Sequence, residues 1–130
     1  MPAGDAFTDR QQDDVARSIR IAAAQATLPV SVYVGALEGD SRTTANALHA
    51  ALGPDATRAV LVAVDPGSRR IEIVTGAEAH RRLDDRAAGL AALTMTTAFQ
   101  AGDLAGGISS GVLALAEHAR TPPSLHTDQP

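Results

Sequence analysis

Hydrophobic positions along the chain change period several times, and each change marks an element. Val15, Ile19, Ala22 and Ala26 recur at spacings of four, three and four, which is one face of a helix. Thr8 and Gln11 fit a capping box at its start, and Pro29 ends it. Val30, Val32 and Val34 then alternate with Ser31, Tyr33 and Gly35, predicting a strand that ends near Leu37. Glu38-Gly39-Asp40 is a turn, and Asp40 or Ser41 can cap a second helix with Ala45, Leu48 and Leu52 on its apolar face. Gly53 and Pro54 supply its stop signal. Residues 59–64 are apolar throughout, as expected of a central strand buried on both faces.

Asp65-Pro66-Gly67-Ser68 has turn chemistry, with Pro fixing φ at the first corner and Gly supplying positive φ at the second. Residues 69–75 read as an antiparallel strand, with Ile71 and Ile73 on one face. A helical turn is expected over residues 78–82. Asp84 or Asp85 then caps a longer helix with Leu83, Leu90, Leu93 and Thr97 near one face. Gln100-Ala101-Gly102 breaks it, and Asp103 caps the last helix, whose stripe is Leu104, Ile108, Val112 and Leu115. Gly107 and Gly111 lie one turn apart and predict a close backbone approach, because each glycine costs a helix about 1 kcal/mol relative to alanine.

The order is α-β-α-β-β-α-α. It predicts an α/β fold: a small mixed-sheet sandwich with helices on both faces, the strand–helix–strand unit making a right-handed crossover. Residues 1–7 are expected to be a flexible leader, 8–120 a single domain and 121–130 a disordered tail.

Composition narrows the chemistry. With Phe7, Tyr33 and Phe99 as the only aromatic residues, the core must be built from Val, Leu, Ile and Ala. Cysteine is absent, which removes disulfides and thiolate ligands. All eleven basic residues are Arg, a bias expected of a GC-rich, actinobacterial-type genome. The net charge of −4 and the scattered arginines argue against a nucleic-acid partner. No apolar run approaches the roughly 20 residues that span a bilayer, and the first residues lack the pattern of a signal peptide. A cytoplasmic location is therefore expected.

Between Val30 and Ala119 the chain resembles the TPM domain family, the thylakoid acid-phosphatase-like group. The landmarks are the apolar strand ending at Asp65, the segment Ile71 to Gly76, Glu78, Leu83-Asp84, and Phe99 to Asp103 followed by Gly107-Ile108. The resemblance implies the same sandwich and, for its enzyme-like members, metal-dependent phosphatase activity. This chain departs from them in three places. Thr57-Arg58-Ala59 stands where an Asn-Gly pair is usual, Gly76 lacks its second glycine, and Leu104 replaces a tyrosine. These departures describe a divergent branch.

Acidic residues are the remaining candidates for chemistry. Asp40 and Asp65 follow the carboxyl ends of the two parallel strands, where ligands of open α/β sheets bind, and Asp84 is a possible third ligand. Under a hydrolytic reading, Asp40, Asp65 and Asp84 would hold calcium or magnesium. Capping and turn formation account for the same residues without a metal, and Asp103 is read in the same way. His49, His80, His118 and His126 lack metal-ligand spacing, and His49 and His80 are read as surface residues. Ser109-Ser110-Gly111 follows no strand and makes no nucleophile elbow. The expected function is a non-catalytic binding or scaffold module without a cofactor, acting through protein or envelope-associated partners. The alternative is a weak metal-dependent acid phosphatase.

Overall fold

Cap chemistry sets the helix boundaries in the computed structural model, which describes residues 7–120. Helix α1 spans Asp9–Ala26. Thr8 Oγ1 accepts from the Gln11 N–H at 3.1 Å, and Gln11 Oε1 accepts from the Thr8 N–H at 2.8 Å, completing the expected capping box. Strand β1 spans Val30–Val34, and helix α2 spans Ser41–Ala50 with Asp40 as its N-cap. A 3-10 helix over Gly53–Arg58 precedes strand β2 (Val60–Asp65) and strand β3 (Arg70–Thr75). Helix α3 is one turn, Ala77–His80. Helix α4 spans Asp85–Gln100, and helix α5 spans Leu104–Arg120.

The sheet order is β1-β2-β3, with β1 parallel to β2 and β2 antiparallel to β3. Val60, Val62 and Val64 are 0%, 0% and 1% exposed, so β2 is the buried centre that its all-apolar run predicts. Helices cover both faces. On one side Leu61, Ala63 and Val74 pack with Leu37 and Ala45, beneath α2. On the other, Val60, Val62, Val64 and Ile73 join α1, α4 and α5 in the main core, with α5 packed between α1 and α4. Among the described residues, no helix is long and apolar enough to cross a membrane.

Several local expectations are corrected. Strand β1 stops at Val34, and Leu52 lies beyond the end of α2. The positive φ of the β2–β3 hairpin falls on Arg69 (58°), not on Gly67. His49 is buried at 9% exposure. Its Nε2 lies 3.0 Å from the Ala59 carbonyl oxygen, an acceptor only, so the ring carries its proton on Nε2 and ties α2 to the start of β2. Phe7, the last residue of the expected leader, packs half-buried against the main core. Residues 1–6 of that leader and the expected tail, 121–130, lie outside the described residues.

The largest correction concerns α4. Its buried positions are Ala87, Ala91 and Met95, while Leu90 and Leu93 are 45% and 62% exposed and Thr97 is exposed. The reason lies across the interface. A Cβ at Gly111 would come within 2.6 Å of Met95 Cγ, and one at Gly107 within 2.8 Å of Ala98 Cβ. Helix α5 approaches so closely that its two glycines receive Met95, Ala98 and the edge of the Phe99 ring from α4, and the leucines are left outside. The two glycines thus serve packing within the chain, against side chains rather than a backbone.

Arg82, just after α3, joins three distant carbonyls. Its guanidinium donates to Thr27 O at 3.0 Å, to Ala26 O and to Ala119 O at 3.3 Å. One side chain therefore caps the C-terminal ends of both α1 and α5, where the helix dipoles favour a cation.

A cleft at the carboxyl edge of the sheet

Two tight corners meet beyond the carboxyl ends of the parallel strands. The first is the β2–β3 hairpin. Asp65 Oδ1 accepts from the N–H groups of Gly67 and Ser68 at 3.1 and 3.2 Å, closing the turn. Its Oδ2 accepts from the Leu37 N–H at 2.9 Å and staples the β1–α2 loop to the hairpin. Arg70 adds a parallel tie by donating to Gly39 O at 3.1 Å. The Leu37 N–H first, then Ser68 and Gly67, hold the Asp65 carboxyl below its usual range.

The second corner joins α4 to α5. Gly102, at φ 84°, takes the left-handed position after α4. Its N–H donates to Phe99 O and the Asp103 N–H donates to Ala98 O, both at 2.9 Å, which is a complete Schellman motif. Asp103 then turns to the next helix, where its Oδ1 accepts from the Gly106 N–H at 3.0 Å as the N-cap of α5. The corner fixes Phe99 and Leu104 on either side of the bend.

Between the corners lies a cleft of about 470 Å³. Pro66, Ile71, Phe99 and Leu104 give it an apolar lining, and Ile71, Phe99 and Leu104 also pack against the main core. Thr96, Gln100, Asp65 and Arg69 supply the polar groups. Among the described residues, neither Arg69 nor Gln100 has a side-chain hydrogen bond or ion pair. Arg69 also holds a left-handed backbone that non-glycine residues adopt uncommonly. The lining thus offers a guanidinium and an amide with unused donors beside an apolar surface. Its one carboxylate is already occupied by three main-chain donors.

The other sequence candidates serve local structure. Asp40 Oδ2 accepts from the Thr43 hydroxyl at 2.6 Å and the Thr43 N–H at 2.9 Å. Thr43 thereby lowers the Asp40 pKa, the hydroxyl more than the N–H. Asp84 Oδ1 accepts from the Ala87 N–H at 2.9 Å as the N-cap of α4. Asp40 and Asp84 do not line the cleft with Asp65. Among the described residues, no three His, Asp or Glu side chains are grouped to hold a metal ion. His80 faces Thr75 Oγ1 at 3.2 Å, on the surface. Sequence reasoning missed the cleft. Arg69 reads as a solvated arginine and Ile71 as a strand residue; the isolated Phe99 beside a helix break was the one available signal.

A family model described as a domain of unknown function, DUF5130, matches residues 2–116. Solved structures are similar in fold. The BA42 protein of the psychrophilic bacterium Bizionia argentinensis superposes with a TM-score of 0.79 at 16% identity, covering 87% of this chain and 81% of that one. The N-terminal domain of a P. gingivalis protein superposes with a TM-score of 0.74 at 17% identity, covering 90% of this chain and 78% of that one. The family match overturns the expected TPM-domain membership. The landmarks behind that expectation were an apolar strand, a turn and helix caps, which are elements of a fold and not the signature of one family.

Proposed function

The chain belongs to the DUF5130 family of domains of unknown function, and we propose that it is a non-catalytic binding module for a protein partner. Its cleft takes an apolar side chain of that partner with an acidic group beside it. One observation carries this reading: the free donors of Arg69 and Gln100 stand next to the apolar lining of Pro66, Ile71, Phe99 and Leu104. A guanidinium recognises a carboxylate through paired N–H donors, and the apolar wall supplies the remaining affinity. This mode of binding needs no cofactor.

The lowered Asp65 pKa supports the non-catalytic part. A carboxylate stabilised by three N–H groups is a weak base, the cleft lining contains no histidine, serine or cysteine, and its one hydroxyl, on Thr96, donates to Ala92 O at 2.9 Å with no base beside it. Hydrolysis through Asp40, Asp65 and Asp84 would require these carboxylates to leave their cap and turn partners and act on one cation.

The test has two arms. NMR titration with short peptides carrying Leu or Phe next to Asp or a terminal carboxylate should shift the amides of Arg69, Ile71, Phe99 and Leu104. Arg69→Ala should weaken binding about tenfold. Absence of shifts, or unchanged affinity in Arg69→Ala and Phe99→Ser, would sink the binding reading. The second arm is aryl-phosphate hydrolysis with calcium or magnesium. Turnover abolished by Asp65→Asn would replace the binding module with an enzyme.

A further inference from the structure

The two edges of the sheet are finished differently. In the antiparallel β2–β3 pair, the Gly76 N–H donates to Ala59 O, so Val74, Glu72 and Arg70 bond inward and Ile71, Ile73 and Thr75 turn their main chain outward. That outer edge is guarded. Arg42 donates to Ile73 O at 2.8 Å and faces Glu72 at 3.4 Å, and Ser41 donates to Glu72 at 2.6 Å. Charges set on an edge prevent another strand from pairing there.

Strand β1 has no such guard. The Val60 N–H donates to Pro29 O, and the Gly35 N–H donates to Val64 O. This parallel register turns Ser31 and Tyr33 toward β2 and leaves the N–H and C=O groups of Val30, Val32 and Val34 on the outside. No other group among the described residues bonds to them. The strand sequence VSVYV has no charge and no proline, and its four residues after Val30 are half-exposed. Helix α2 packs chiefly over β2 and β3, and α1 packs on β1 from the main-core face; neither bonds to the outward main chain.

We propose that the free edge of β1 is a self-association surface, on which β1 of a second copy pairs antiparallel about a two-fold axis at Val32. The strand is self-complementary in this arrangement. Val32 meets Val32 of the second copy, Val30 meets its Val34, and Ser31 meets its Tyr33. Every outward donor of one copy then finds an acceptor on the other. The three valines of each copy form one apolar row on the main-core face, and no like charges are opposed. The two sheets become one, with both guarded β3 edges at its ends. A five-residue strand is only about 17 Å long, so the interface is at the small end of the known range and its association is concentration-dependent.

Sedimentation of the full chain across roughly 10 μM to 1 mM tests this, with amide hydrogen exchange followed at both ends of the range. The mass should rise from 13.3 kDa toward twice that value. The amides of Val30, Val32 and Val34 should slow with concentration, while those of Ser31 and Tyr33, already bonded to β2, should not change. Val32→Pro removes an outward donor without touching the β1–β2 ladder, so it should weaken dimerisation about tenfold or more with the fold retained. Ser31→Lys places a charge on the same edge and should do likewise if the proline variant folds poorly. A monomer at every concentration, a dimer that leaves the three amides unprotected, or a dimer unaffected by the folded variants would refute the proposal. Protection appearing only when a different protein or peptide is added would also refute it.

Discussion

Gly76 is predicted to be the least replaceable glycine of this domain. Its backbone is ordinary, at φ −64° and ψ 163°, so any residue could adopt it. The obstacle is space. A Cβ there would fall on the carbonyl oxygens of Ala56 and Thr57 and lie 2.5 Å from the Thr57 carbonyl carbon. All three atoms are main chain and cannot rotate aside. Nor can the segments separate freely. The Gly76 N–H is held by Ala59 O at 3.0 Å, its carbonyl accepts from His80 at 2.8 Å, and the Ala59 N–H closes the 3-10 helix onto Ala56 O at 3.1 Å. Overpacking costs about 1–3 kcal/mol even where side chains can yield, so Gly76→Ala should cost about 3 kcal/mol. The unfolded chain returns about 0.4–1 kcal/mol of that, because alanine has less freedom to lose. The net loss of about 2–3 kcal/mol is a large part of a stability of roughly 5–15 kcal/mol, and should lower Tm by roughly 10 °C. Gly107→Ala is the control. Its contacts are the Ala98 methyl at 2.8 Å and the Phe99 ring at 2.9 Å, and the half-buried ring can shift while helix propensity returns about 1 kcal/mol. Urea and thermal melts of the two variants decide the matter. A Gly76→Ala protein that melts like wild type, or a Gly107→Ala protein that loses more, would refute the steric argument.

Three further outcomes are expected. Ser109 Oγ is buried without a hydrogen-bond partner among the described residues, so Ser109→Ala should stabilise the domain by about 1 kcal/mol; a lower urea midpoint would reveal a partner for the hydroxyl. Asp103→Ala should cost about 1 kcal/mol, while Asp103→Asn keeps most of the cap and should melt near wild type. Asp65 is held below its unfolded value, near about 3.9, so its contribution is complete above that value and is lost as pH falls through the lower folded one. Between about pH 6 and about pH 3, Asp65→Asn should therefore lose less stability than wild type, and equal losses would remove its stapling role.

What could be read from the sequence was what local chemistry decides. Thr8 with Gln11, Asp40, Asp84 and Asp103 announce helix starts because a cap acts within three residues, and each begins the helix it should. Residues 60–64 announce a central strand because the all-apolar run is short, rich in valine and bounded by the Asp65-Pro66-Gly67 turn. The errors arose where a distant element chose the outcome. Leu90 and Leu93 are large hydrophobes of α4, yet Gly107 and Gly111 on α5 receive Ala98, Phe99 and Met95 instead. His49 is buried because Ala59, ten residues on, turns its carbonyl inward. The cleft brings residues 65–71 against residues 96–104, and neither corner signals that the other will face it. The metal reading of Asp40, Asp65 and Asp84 drew on the same turn and cap positions, where structural and ligand roles select the same residue type.

The placement of α5 between α1 and α4 also sets an order of events. The principal neighbour of α1 is the last helix of the described residues, so their contact spans almost the whole domain in sequence. During synthesis at about 5–20 residues per second, α1 and one face of the sheet wait several seconds for the helix that covers them. Until then Val15 and Ala22 lack the helix that completes their packing, while the sheet, with α2 on one face, can already assemble. Contacts of such long sequence separation slow folding, because the intervening loop must close before any of them forms. Arg82 joins the two ends of the wait. Its guanidinium can reach Ala26 early and Ala119 only at the end, so full capping of α1 and α5 is a signal that the domain has closed.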